Sequence, residues 1–152
     1  MEIKELKRRR AFRDKKAETC YQNFEALIAE LNSRNLSHDT VQFINEKIEL
    51  INTSNDDKTL RKNTRTVKHQ IIKHIEKKHK IVPKNYYRST WLALGMTTFG
   101  IPFGVGIGTS MNNMAFISIG IPIGMMVGIA IGTAKDKQAE KKGLQLSFKM
   151  SS

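Results

Sequence analysis

Four histidines, one cysteine and ten glycines are the residues of this chain whose types could carry chemistry. His69, His74 and His79 recur at intervals of five. Helical imidazoles share a metal when they stand at i, i+4, as in HExxH. A step of five turns a helical residue through about 500°, at roughly 100° per residue, so these three leave the helix on different sides. They read as exposed or interfacial side chains, and His38, beside a candidate helix start, reads the same way. Cys20 is the single thiol, which excludes an intrachain disulfide and suits a reducing compartment. It falls on an apolar stripe, where a thiol is buried rather than nucleophilic. No glycine is followed by the Lys-Ser/Thr pair of a phosphate-binding loop. The residues therefore predict no enzymatic activity, no metal and no cofactor.

The glycines have a different regularity. Gly100, Gly104 and Gly108 recur every four residues, and so do Gly120, Gly124, Gly128 and Gly132. On a helix such spacing makes a smooth stripe, along which another backbone can approach closely. If two such helices run antiparallel, Gly100 can face Gly128, Gly104 can face Gly124, and Gly108 can face Gly120. Gly100-Ile101-Pro102-Phe103-Gly104 also returns as Gly120-Ile121-Pro122-Ile123-Gly124. Pro102 and Pro122 each remove a helical hydrogen bond and are expected to kink their helices.

The elements that position these stripes follow from hydropathy. Mean hydropathy over the chain is negative, at −0.41. Ser89 to Ala134 nevertheless contains no Asp, Glu, Lys, Arg or His. A bilayer core of about 30 Å takes roughly 20 helical residues, so this block is long enough to cross twice. The polar stretch Ser110-Met111-Asn112-Asn113-Met114 is the natural break, which predicts spans at Thr90–Thr109 and Ala115–Ala134. Period-two alternation in Val105–Gly108 and Ile129–Gly132 would suit strands, but an open strand pair leaves backbone groups unpaired in lipid. Without an acid or base inside the spans, a pump or coupled transporter is disfavoured.

The run from Trp91 to Thr133 resembles the glycine-zipper two-helix hairpins of small bacterial membrane proteins. That resemblance implies membrane insertion and self-packing, with no single activity attached. Similar hairpins occur in outer-membrane lipoproteins, whose N-terminal lipobox signal this chain lacks.

Charge sets the expected orientation. Net charge is +12, all of it outside the apolar block. Lys73, Lys77, Lys78, Lys80, Lys84 and Arg88 precede the first span; Lys135, Lys137, Lys141 and Lys142 follow the second. Lys/Arg-rich flanks stay cytoplasmic, so both termini are expected inside a cytoplasmic (inner) membrane. Tyr86, Tyr87, Arg88, Trp91, Lys135 and Lys137 stand where membrane-interface anchors belong. Lys73, Lys77, Lys78, Lys80 and Lys84 form a basic face suited to anionic lipid headgroups or a protein partner. Nucleic acid is disfavoured, because no recognised binding motif accompanies the charge. The charged start, with Lys7, Arg8, Arg9, Arg10 and Arg13, is not a secretory signal and reads as solvated.

Residues 1–83 read as three amphipathic helices. Ala17, Cys20, Tyr21, Phe24, Leu27, Ile28 and Leu31 make one stripe; Val41, Ile44, Ile48 and Ile51 a second; Leu60, Thr64, Val67, Ile71, Ile75 and Val82 a third. Ser37 is the expected cap of the second helix, Ser54 with Asp57 that of the third, and Pro83 its end. The expected fold is all-α: a cytoplasmic amphipathic helical bundle (1–83), a juxtamembrane linker (84–89), a transmembrane hairpin (90–134) and a basic tail (135–152). The function it predicts is membrane anchoring with self-assembly into a homo-oligomer through the glycine faces. A pore-forming or membrane-permeabilising protein (a toxin, holin-like protein or defence effector), lined by Thr97, Thr98, Ser118 and the glycine backbone, is the alternative.

Overall fold

The computed structural model describes residues 2–7, 12, 14–54 and 56–149. Arg8, Arg9, Arg10 and Arg13, expected to be solvated, lie outside the described residues. The protein is mostly helical and divides into two units. One takes in the chain up to Val82 together with residues from Leu146 onward; the other is Pro83–Gln145.

Three helices build the first unit: α1 (Lys15–Asn32), α2 (His38–Asn52) and α3 (Asp57–His79). Helix α3 lies against both of the others. The three stripes form its core. Phe24, Leu27, Leu31, Ile44, Ile48, Leu60, Ile71 and Ile75 are fully enclosed. Cys20 departs from its stripe: it is half-buried, its Sγ 4.0 Å from the Arg61 carbonyl oxygen.

The caps differ from expectation. Ser37 occupies the α2 cap but its hydroxyl makes no capping bond; it sits 3.0 Å from Thr40 Oγ1 instead. Helix α3 is capped by Asp56, which accepts from Thr59 N at 2.9 Å. Asp57 reaches outside its helix and accepts from Asp14 N, while Ser54 donates to Leu50 O. A carboxylate two residues nearer the first turn displaces the hydroxyl, because an anion gains more from the exposed N–H groups and the helix dipole. At the other end α3 stops at Lys80, in the left-handed region at φ 59°, three residues before Pro83.

The charged N-terminal segment contributes to this core. Ile3 is buried, and Asn45 holds the segment from both sides. Its Oδ1 accepts from Lys4 N at 2.7 Å and its Nδ2 donates to Glu2 O at 3.2 Å. A side-chain amide thus takes the part of a neighbouring strand.

The chain is not all-α. Val82–Lys84 (β1) pairs with Gln145–Lys149 (β2) in a two-stranded sheet. Val82 and Leu146 are buried, so the C-terminal residues are partly structural, and Ser147 N donates to Glu30 Oε1 at 2.6 Å.

In the second unit, α4 (Tyr86–Leu94) continues through a π-helical segment (Gly95–Gly100) into α5 (Ile101–Ser110). A 3-10 turn (Met114–Phe116) leads into α6 (Ile117–Lys141). The continuous helices Tyr86–Ser110 and Met114–Lys141 are each long and apolar enough to cross a membrane. Helix α6 ends where Gly143, at φ 67°, lets Leu144 N reach back to Ala139 O at 2.9 Å.

Candidate functional site: a glycine-lined helix interface

Within the second unit the glycine stripes face each other. A Cβ on Gly124 would collide with Gly95 O and Gly100 N; one on Gly120 would collide with Gly100 O and Gly104 Cα. A Cβ on Gly128 would strike Trp91 O, and one on Gly132 would stand 2.5 Å from Arg88 Cα. From the other side, a Cβ on Gly100 would lie 3.0 Å from Gly120 O and one on Gly104 2.8 Å from Ile117 Cα. Gly108 meets the turn itself, 3.1 Å from Asn113 O. Higher numbers on one helix meet lower numbers on the other, so the contacting segments run antiparallel.

The register is not the expected one. Gly100 meets Gly120 and Gly124 rather than Gly128, and Gly104 meets Gly120 rather than Gly124. The cause is a tighter connection than a five-residue loop. Asn113 N donates to Gly108 O at 2.8 Å, Asn112 takes a left-handed conformation at φ 49°, and Asn113 Oδ1 caps Ala115 N at 3.0 Å. The second helix begins sooner, which slips the pairing by about one turn.

Gly95 belongs to the stripe although it breaks the four-residue period. It stands five before Gly100, and the π segment absorbs the extra residue: Ile101 N bonds to Met96 O, an i to i−5 step. Five residues then close one turn, and Gly95 and Gly100 share a face. Pro102, a predicted kink, lies in the first turn of α5, where bonding returns to the α pattern. Pro122 lies inside α6 and is exposed.

The open end of the interface is held by a carboxylate. Asn85 precedes α4 in a left-handed conformation and offers no side-chain cap. Asp136, on α6 and only 5 % exposed, supplies it: Tyr87 N donates to Oδ1 at 3.0 Å and Arg88 N to Oδ2 at 2.9 Å. One helix thereby caps the other, and the anion meets the positive end of the α4 dipole. Lys135 stands beside it, 5.8 Å from the Tyr87 ring centroid and 5.6 Å from that of Trp91. Lys135 thus lies over two other expected interface anchors, Tyr87 and Trp91; Tyr86 meets Tyr87 edge-on, and Arg88 and Lys137 are exposed. Asp136 was not singled out by sequence. Its signal is an acid among Lys135, Lys137, Lys141 and Lys142, four residues beyond Gly132 at the end of a glycine stripe.

The outer surface is apolar. Phe99, Ile101, Phe103, Val105, Ile119, Met126 and Val127 are exposed. Thr97 and Thr98 donate to carbonyls of their own helix, at Ala93 and Leu94, and Ser118 donates to Ala115 O.

The basic face is less concerted. Lys73, Lys77, Lys78 and Lys80 are exposed in the first unit and Lys84 in the second. The histidines are more organised than their spacing implies. His79 Nε2 lies 3.0 Å and His74 Nε2 3.4 Å from the buried Thr40 Oγ1 on α2. The five-residue step is bridged because a third party, Thr40, receives both rings. His74 also stacks on Phe43, ring centroids 4.2 Å apart. Burial, with Lys78 and His79 nearby, pushes the His74 imidazole below its ordinary value. Among the described residues no group of His, Cys, Asp and Glu is placed to hold a metal ion.

Comparison of the chain with protein-family models, with curated proteins and with solved structures finds no match in any of the three.

Proposed function

We propose that this chain is a non-enzymatic integral membrane protein that anchors a cytoplasmic helical unit to a cytoplasmic (inner) membrane. In this reading helices Tyr86–Ser110 and Met114–Lys141 cross the bilayer as a hairpin, with both termini inside. One observation carries it: glycine backbone faces inward while Phe99, Phe103, Ile119 and Met126 face outward. Lipid is a good solvent for those side chains, whereas water is not. At about 1.5 Å per residue both helices exceed the roughly 30 Å hydrocarbon core, leaving end turns for Tyr87, Trp91 and Lys135 at the headgroups.

The glycine faces support self-packing within the chain first. Since Gly120, Gly124 and Gly128 are already covered by α4, the π segment and α5, a homo-oligomer would form through other faces. Anionic headgroups and a cytoplasmic protein partner remain the partners that the exposed lysines suit. The pore reading gains no support, because the hydroxyls of Thr97, Thr98 and Ser118 already donate to their own helices.

The test is extraction and topology mapping in cells. The protein should stay with the membrane through alkaline carbonate. Cys20 should react with a membrane-impermeant thiol reagent only after the cytoplasmic side is opened, and Asn112→Cys, in a Cys20→Ser background, should react from the opposite side. Release by carbonate, or labelling of both positions from one side, refutes it.

A further inference from the structure

A concentration of cations with a cavity among them is found away from the lysine face before the first apolar helix. It lies in the first unit, between the start of α1 and the first half of α3. A cavity of about 610 Å³ opens there, lined by Lys15, Lys16, Arg65 and Lys68, with Thr19 and Asn23 beside them. Lys68 is only 5 % exposed, so its stem is fixed by the surrounding side chains. Asp14 is the one acid among the described residues lining it. That carboxylate is already engaged: Oδ1 caps Lys16 N at 2.9 Å, and Oδ2 lies 3.2 Å from the Arg61 guanidinium. Four cations therefore line the cavity with one acid, which is engaged by Lys16 N and Arg61.

We propose that this cavity binds a compact oligophosphate, meaning two or more phosphate groups held close together. Its volume is in the range of small-molecule sites. Arg and Lys supply charge-assisted hydrogen bonds to phosphate oxygens, and the Asn23 amide adds a neutral donor. More than one phosphate is indicated because the cations continue past Arg65 into a second concavity, of about 700 Å³, lined by Lys58, Arg61 and Lys62. No aromatic ring lines the cavity among the described residues, so nothing is offered for stacking a nucleobase. The phosphates could be free in solution or carried by a lipid headgroup.

Cys20 lines the same cavity and is the chain's single thiol, which provides the readout. The full chain is placed in phosphatidylcholine nanodiscs and the rate of Cys20 alkylation by an uncharged maleimide is followed as pyrophosphate or tripolyphosphate is added. The rate is expected to fall severalfold and saturably, at an ionic strength held constant with chloride. Arg65→Gln, an exposed position, should weaken the half-maximal concentration about tenfold or more, and Lys16→Gln similarly. Lys77→Gln, outside the cavity, should leave it unchanged. Nanodiscs containing phosphatidylinositol bisphosphate, with no soluble anion, distinguish the source. Protection there but not by free tripolyphosphate assigns a headgroup; protection by tripolyphosphate alone assigns a soluble ligand. Equal protection by matched chloride, no protection by either millimolar tripolyphosphate or the bisphosphate lipid, or protection by a single-stranded oligonucleotide alone overturns the proposal. A loss in Arg65→Gln that follows a lowered melting temperature also counts against it.

Discussion

The unit that ends at Val82 buries Phe24, Leu27, Ile44 and Ile71 against one another. The unit Pro83–Gln145 buries Gly95, Gly100, Gly104, Gly120, Gly124 and Gly128, and turns Phe99, Phe103 and Met126 outward. No Val, Leu, Ile, Phe or Met of the second unit is buried among the described residues. The first is held by removing apolar surface from water, at about 25 cal/mol per Å². The second removes little apolar side-chain surface, so close backbone contact and helix-end hydrogen bonding must hold it. Glycine is a poor core residue in one unit and the required one in the other.

Two substitutions break that comparison from opposite ends. Phe24→Ala should cost the first unit about 3–5 kcal/mol through lost burial and a cavity. Its denaturant midpoint should fall while crosslinking between cysteines placed on α5 and α6 stays unchanged. Gly124→Leu should do the reverse. Four side-chain carbons cannot enter a space where even a Cβ would collide with Gly95 O and Gly100 N. The expected cost is about 3 kcal/mol, at the upper end for overpacking, seen as lost crosslinking with the first unit's midpoint preserved. If both measurements move together in either variant, the units are not independent.

Asp136→Ala probes the helix-end part of the second unit. It removes the carboxylate to which Tyr87 N and Arg88 N donate and should cost about 2 kcal/mol. Faster hydrogen exchange at Tyr87 and Arg88, with the α5 amides unaffected, is the measurement. Unchanged exchange would mean that water or lipid headgroups replace the carboxylate.

These effects also mark what the sequence could tell. The stripes of α1, α2 and α3 were legible because burial against water imposes a period on apolar residues. The apolar block was legible for the same reason. Gly95 was not, since a π turn changes the period that would reveal it. The glycine register was not, since Asn113 and Gly108 close the turn with one hydrogen bond that no spacing rule contains. Ile3 was not, because a single buried residue in a charged segment has no period at all, and Asn45 was not, because a polar side chain in α2 does not reveal that it holds the N-terminal segment. The convergence of His74 and His79 on Thr40 required knowing which helix faces α3.

A titration sharpens the comparison further, because it acts on the first unit alone. Unfolded, the His74 imidazole takes its proton near 6.5; folded, burial and the neighbouring Lys78 and His79 hold it lower, and Asp39 offsets only part of this. Between the two values the unfolded chain binds the additional proton, so acid favours unfolding. The contribution is present in full above pH 6.5 and is lost as pH falls toward and through the folded value. Melting of the first unit should therefore drop on acidification below 6.5. His74→Phe keeps the ring against Phe43 and should flatten that part of the profile. An unchanged slope would assign the acid sensitivity elsewhere.

The smallest expected effect is the most discriminating for the glycines. Gly106 lies in α5 among the others, yet a Cβ there would meet nothing within 4 Å. If glycine were present throughout this unit only because the composition is simple, Gly106→Ala and Gly120→Ala would behave alike. The packing argument separates them. Ala at 106 restricts the unfolded backbone and meets no obstacle, so it should stabilise the helix by about 0.5–1 kcal/mol. Ala at 120 gains the same backbone term but must displace Gly100 O and Gly104 Cα, so it should destabilise. Opposite signs from one methyl group, read as opposite shifts in the crosslinking equilibrium between α5 and α6, would show that the stripe positions are fixed by contact. Equal signs would remove the glycine interface as the element that holds the two helices together.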